Sequence, residues 1–84
     1  MDQNPSQGGP MLNSDFDPEY VFSHHAATRE KLDSYAVVHE AAKQFARVLL
    51  DSVPASRDRD SALRLLRESA MMACAAISLD GRLK

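Results

Sequence analysis

Tryptophan is absent from this chain of 84 residues, and cysteine occurs once, at Cys74. A single cysteine rules out an intrachain disulfide and the paired-cysteine framework of small secreted domains, so a reducing cytoplasm is the expected setting. Charge of one sign is also lacking. A net charge of −2 leaves no broad positive face to displace the counterions of a nucleic-acid backbone, so neither DNA nor RNA is an expected partner. A small anionic ligand, which needs only a few cations, is compatible with it. No uninterrupted apolar run approaches the roughly 20 residues of a membrane span, and Asp2 stands where a secretory leader carries basic residues. Neither membrane insertion nor secretion is expected. Between Pro18 and Gly81 the one breaker of regular structure is Pro54. A chain so short has a marginal core unless a disulfide, a metal or a partner supplements it.

The first segment, residues 1–16, is Gln, Asn, Ser, Gly and Pro with little apolar content, which predicts a disordered tail. Residues 17–84 form the expected domain. Asp17-Pro18-Glu19 is a helix start, with a capping carboxylate, a proline suited to the first turn and an acid at the positive end of the dipole. A short helix from about Pro18 to Ser23 follows from it. Thr28 is the next cap and opens a long helix to Pro54, in which Leu32, Tyr35, Val38, Ala42, Phe45 and Leu49 recur at spacings of three and four. Val37, Ala41 and Val48 make a second row. Pro54 and the cap Ser56 end this helix and begin another, whose stripe reads Ala62, Leu65, Ser69, Met72, Ala76 and Leu79, with Leu66, Ala70, Ala73 and Ile77 beside it and Gly81 as the terminating residue. Two helices of about 23 residues are each about 35 Å long, and the short link makes them antiparallel neighbours. The predicted fold is all-α: an antiparallel two-helix hairpin preceded by a short helix. One seam uses one row per helix. The second rows stay wet in a monomer, which predicts assembly into a homo-oligomeric helical bundle.

Three of the five aromatic residues, Phe16, Tyr20 and Phe22, lie just before His24 and His25. Their ordinary role is to clamp the short helix onto the hairpin or onto a neighbouring copy. Their functional role would be a stacking platform for flat bases. His24, His25, His39 and Cys74 lack the spacing of a metal site, so no metal and no cofactor is expected. Cys74, in an alanine-rich stretch, reads as a small buried hydrophobe. Ser56-Arg57-Asp58-Arg59-Asp60 at a helix start suits either a phosphate or, more simply, a solvated face with Arg64 paired to Asp60 and Glu68. No catalytic constellation is present, and the chain is not expected to be an enzyme.

Phe22-x-x-His25, Tyr35-x-x-Val38, Ala41-Ala42, Val53-Pro54-x-Ser56-x-Asp58-Arg59-x-Ser61-x-Leu63, Leu66-x-Glu68 and Met71-Met72-Ala73-Cys74-Ala75-Ala76-Ile77, taken in order, form a pattern. It resembles the small phage proteins that act as anti-CBASS sponges, whose helical-hairpin domain is shared with anti-Thoeris sponges. The resemblance runs from about Tyr20 to Leu79. It implies a homohexamer that holds cyclic dinucleotides between protomers, in some members with cyclic trinucleotides at a separate site, and sequesters them without cleavage. In the family a Tyr-His-x-Pro segment supplies a stacking ring, and a basic residue after a branched aliphatic in the long helix contacts phosphate. The matching positions here read His24-His25-Ala26-Ala27 and Val38-His39, so His24 stands at the tyrosine position and His39 at the basic one.

The expected function is therefore a phage anti-defence sponge for cyclic oligonucleotide second messengers, acting in the host bacterial cytoplasm. Tyr20, Phe22, His24 and His25 are the expected base contacts, His39 the phosphate partner, and Arg82 a candidate for a second site near the helix ends. Histidine changes charge between pH 5 and 8, so a phosphate contact through His39 makes affinity rise as pH falls from 8 to 6. Two alternatives are a sponge for a cyclic ADP-ribose-type signal and a helical adaptor that binds a protein partner through its spare apolar rows.

Overall fold

The computed structural model describes residues 15–84, so the tail expected at the start of the chain lies, for residues 1–14, outside the described residues. Among the described residues there are three helices and no strand: α1 (Pro18–Phe22), α2 (Arg29–Ser52) and α3 (Arg57–Ser78). Each begins on the expected cap. The side chain of Asp17 accepts from the Glu19 amide at 3.0 Å, that of Thr28 from Lys31 at 3.2 Å, and that of Ser56 from Arg59 at 3.1 Å. Each satisfies one amide that the first helical turn leaves without a partner.

The end of α3 differs from the expectation that Gly81 is the first residue past the helix. Asp80 holds that position, in the left-handed region at φ 56°, and Gly81 follows at φ 72°. The Gly81 amide donates to the Ala76 carbonyl at 2.8 Å and the Asp80 amide to Ile77 at 3.2 Å. This pair of bonds is a Schellman motif, and aspartate is among the few non-glycine residues that tolerate its left-handed residue.

α2 and α3 run antiparallel, so that Lys31 meets Ser78, His39 meets Cys74, and Arg59 meets Val53. The α2 side of the seam carries Tyr35, Val38, Ala42, Ala46 and Leu49, close to the predicted stripe, but Leu32 and Phe45 turn outward. On α3 the two rows exchange roles. Leu66, Ala70, Ala73 and Ile77 are half-buried, whereas Leu65 and Met72 are 56% and 66% exposed. Both α3 rows have apolar periodicity. The seam takes the one whose alanines, Ala70 and Ala73, let the α3 backbone approach the alanines of α2. Among the described residues Leu49 is the only buried hydrophobe, at 9% exposure, so the hairpin has almost no interior.

What the seam lacks in depth is supplied partly at its ends. Neither long helix has a basic residue in its own last turn. Each receives one from the other helix. Lys31, in the first turn of α2, donates from Nζ to the Ser78 carbonyl at 2.9 Å and lies 3.5 Å from the Asp80 carboxylate. Arg59, in the first turn of α3, donates from Nη1 to the carbonyls of Leu50 at 3.4 Å and Val53 at 3.3 Å. A cation at a helix C-terminus both fills orphan carbonyls and opposes the negative end of the dipole. Two such residues staple the hairpin at opposite ends.

Candidate functional site

The six residues singled out from the sequence fall into three settings. Tyr20, His25 and Arg82 come together where α1 lies against the segment that follows α3, residues 79–83. The Tyr20 hydroxyl donates to the Leu79 carbonyl at 2.6 Å, and the Arg82 guanidinium stands 4.8 Å from the centre of the Tyr20 ring. The His25 ring meets Tyr20 edge-on, 4.6 Å between centres at 69°, and its Nε2 is 2.6 Å from the Tyr20 carbonyl. That carbonyl can only accept, so Nε2 carries the proton. The Asp17 amide donates to the Leu83 carbonyl at 2.6 Å, which ties the other end of α1 to the same C-terminal segment. The arm ahead of α2 is thus bound to the tail behind α3, and the Tyr20 ring is the centre of the joint.

Phe22 and His24 are in a different position. Phe22 is 78% exposed, touching Phe16 at 6.0 Å between ring centres, and His24 is exposed beside it. These rings have free faces, whereas Tyr20 has Arg82 on one face and His25 at its edge.

His39 lies elsewhere, on the middle of α2, eight residues or about 12 Å along the axis from Lys31 at the staple. Its Nε2 is 3.5 Å from the Cys74 sulfur on α3. Cys74 is therefore half-buried with a polar neighbour and is not enclosed as a small hydrophobe. The two residues border a groove of about 380 Å³ between the helices. Lys43 and Arg67 line the same groove, and Ala42, Ala70 and Met71 complete it. Three residues with basic side chains, from two helices, thus rim a groove whose lining is almost wholly apolar. Lys43 does pair with Glu40, but at 3.9 Å and with both groups 62% exposed, so the pair constrains it weakly.

The opposite side of the hairpin has another character. Val37, Ala41 and Phe45 of α2 and Leu66, Ser69 and Ala73 of α3 border a second groove, also about 380 Å³, that contains no charged side chain. Val37 and Phe45 are 69% and 53% exposed there. Both grooves are apolar in their lining, and they differ in that His39, Lys43 and Arg67 rim the first.

Sequence reasoning did not single out Lys43 and Arg67. Lys43 is four residues after His39, a spacing that places both on one helix face. Arg67 joins them only through the register of α3 against α2. The charged run from Ser56 to Asp60 is not an open phosphate site, because the Ser56 hydroxyl caps Arg59 and the Arg59 guanidinium turns back onto α2. Arg64 pairs with Glu68 at 3.7 Å, as the helical spacing predicts.

The fold and grooves define a small all-α hairpin protein with an apolar groove on each side of its seam, one of them rimmed by basic residues. The chain belongs to the Acb2/Tad1 hairpin-domain family, whose model matches residues 17–78, a stretch that covers all three helices. Membership implies a phage sponge for cyclic nucleotide signals. Searches of curated proteins and of solved structures found no match. Among the described residues no helix is long and apolar enough to cross a membrane.

Proposed function

We propose that this protein sequesters a cyclic oligonucleotide second messenger, a cyclic dinucleotide in the first instance, and so withholds it from a CBASS effector in the host bacterial cytoplasm. The observation that carries this reading is the groove bordered by His39, Lys43 and Arg67, in a chain whose family binds cyclic nucleotide signals. Cyclic dinucleotides combine anionic phosphates with flat bases, and the groove offers cations to the first. Phe22 and His24, whose rings are exposed, are the stacking surfaces offered to the second. Tyr20, His25 and Arg82 hold the arm that carries those rings.

Within one protomer the arm and the groove are separated along the hairpin, so a single copy does not enclose a ligand between them. A second copy is needed to enclose the ligand, and the apolar face is the surface offered for docking one. That face includes Val37 and Phe45, and the near absence of a buried interior in the hairpin favours the same association. A homohexamer, the assembly expected from the family, repeats this seam. Sequestration acts by mass action and calls for a dissociation constant on the order of nanomolar, or about −12 kcal/mol per site. On this reading the retained ligand is held without cleavage.

The test is to incubate the purified protein with cyclic dinucleotides, cyclic trinucleotides and cyclic ADP-ribose isomers, remove free ligand, denature, and recover what was held. Intact cyclic dinucleotide supports the proposal, and intact cyclic ADP-ribose moves the function to Thoeris. Cleaved ligand or none refutes it. Native mass spectrometry on the same sample counts the subunits, and a monomer refutes the inter-protomer pocket.

A further inference from the structure

Among the described residues α1 packs against neither long helix, and none of its five residues is buried. Its ties run instead to the segment that follows α3. The Asp17 amide donates to the Leu83 carbonyl at 2.6 Å, and the Tyr20 hydroxyl to the Leu79 carbonyl at 2.6 Å. The Arg82 guanidinium covers one face of the Tyr20 ring, and its Nε donates to the Lys84 carbonyl at 2.9 Å. Lys84 also lies 4.0 Å from Asp15, an exposed pair that adds little. Toward α2 the arm is one piece as far as His25, whose Nε2 is bonded to the Tyr20 carbonyl. Ala26 and Ala27 come next, exposed and outside any helix, and then Thr28 caps α2.

We propose that residues 79–83 are a strap that fastens the arm, residues 17–25, and can release it while the hairpin stays folded, with Ala26 and Ala27 as the hinge. The hairpin is held by the α2–α3 seam and its two cationic staples, which involve no residue of the arm. The arm is held by two hydrogen bonds and one cation–π contact, all to the strap. An element with so few ties and no buried side chain opens at the low end of a protein's stability range, well before the body to which it is attached. Two residues of non-helical backbone suffice to absorb the change in direction. Opening carries Phe22 and His24 away from any ligand stacked on them. Tyr20 and Arg82, which meet each other and do not line the basic-rimmed groove, thereby set how long a ligand stays. This gating rests on the sequestration reading, whereas the strap itself does not.

Hydrogen exchange of the full, ligand-free chain, read by mass spectrometry, separates peptides of the arm from those at the middle of α2 and α3. Arm amides are expected to exchange roughly ten-fold or more faster than those of the hairpin centre. Tyr20→Phe removes the bond to Leu79, and Arg82→Gln removes the cation from the ring. Each is expected to speed arm exchange by about two- to ten-fold and to leave the hairpin centre unchanged. Release is then timed by loading each protein with a labelled cyclic dinucleotide and adding an excess of the unlabelled one. Because release passes through the open arm, it quickens in each variant by the same factor as arm exchange, a proportionality that loss of a direct ligand contact does not produce. Arm amides as protected as the hairpin centre in the wild-type chain overturn the strap, whether or not the variants fold. So does unaltered arm exchange in both variants. Faster arm exchange with unaltered release overturns the gate. Wild-type protein that holds no cyclic dinucleotide refutes the sequestration reading instead, and exchange in the ligand-free chain still decides the strap.

Discussion

Replacing Lys31 with methionine is expected to unfasten the end of the hairpin on which the arm rests. Lys31 is 14% exposed along its side chain, and its Nζ donates at 2.9 Å to the Ser78 carbonyl, one of the last carbonyls of α3. A hydrogen bond from a charged donor contributes about 1.5–3 kcal/mol. The Asp80 carboxylate at 3.5 Å adds little, because it is 62% exposed and such pairs contribute at most about 1 kcal/mol. Methionine keeps the apolar stem and removes the charge, so the loss is about 2 kcal/mol. For a domain of this size that lowers Tm by roughly 8–16 °C, read by circular dichroism at one fixed protomer concentration. Asp80→Asn, which removes only the exposed half of the contact, should lower it by no more than about half as much. The Ser78 carbonyl lies one residue before Leu79, which receives the Tyr20 hydroxyl. Hydrogen exchange at the Asp17 amide, bonded to Leu83 at 2.6 Å, should therefore quicken in Lys31→Met. A Tm within about 2 °C of the parent, or an equal loss in Asp80→Asn, refutes the reasoning.

Arg59→Met, at the opposite staple, should cost about 1–2 kcal/mol, less than Lys31→Met because its contacts at 3.3 and 3.4 Å are longer. The two sites are nearly the length of α2 apart, so their combined effect in thermal unfolding should be additive within about 0.5 kcal/mol. Arg67→Glu, which reverses charge at the rim of the groove, should weaken retention of a cyclic dinucleotide by ten-fold or more in equilibrium dialysis while leaving helicity intact, and unchanged retention would remove the groove from the site. Phe45→Glu, on the apolar face, should reduce the mass seen by native mass spectrometry toward the monomer, and an unaltered assembly would show that copies meet elsewhere.

The parts of this fold that were legible in the sequence are those fixed by neighbours along the chain. Asp17, Thr28 and Ser56 cap because each acts within three residues of itself, and Pro54 divides the hairpin because its ring interrupts the backbone locally. What was not legible depends on the register between helices. Periodicity shows that α3 has apolar rows without showing which one faces α2, since alanine spacing and side-chain bulk decide it only against a partner. The same ignorance hid Lys31 and Arg59, whose acceptors lie 47 and 6 residues away on the other side of a turn or hairpin. The residues of the candidate site divided likewise. The aromatic and histidine segment was visible as a cluster, but Tyr20 and His25 turn inward to Arg82 while Phe22 and His24 remain outside, a difference that arises only once the C-terminal segment crosses α1.

The two staples bear on function because they let a thin hairpin keep both of its faces for other work. A monomer with one buried hydrophobe among the described residues gains little from burial, and stabilising it by covering either groove would remove a surface. Satisfying the last carbonyls of each helix with a cation from the other stabilises the antiparallel register from the ends, outside both faces. The apolar face, with Val37, Ala41 and Phe45, is then open to another copy, and the groove rimmed by His39, Lys43 and Arg67 is open to an anion. Moving the register by one residue would misalign both staples and separate Arg67 from His39 and Lys43 in the same step. Stability and the groove are therefore set by one geometric choice, and substitutions at the staples should disturb ligand retention even though neither Lys31 nor Arg59 lines that groove.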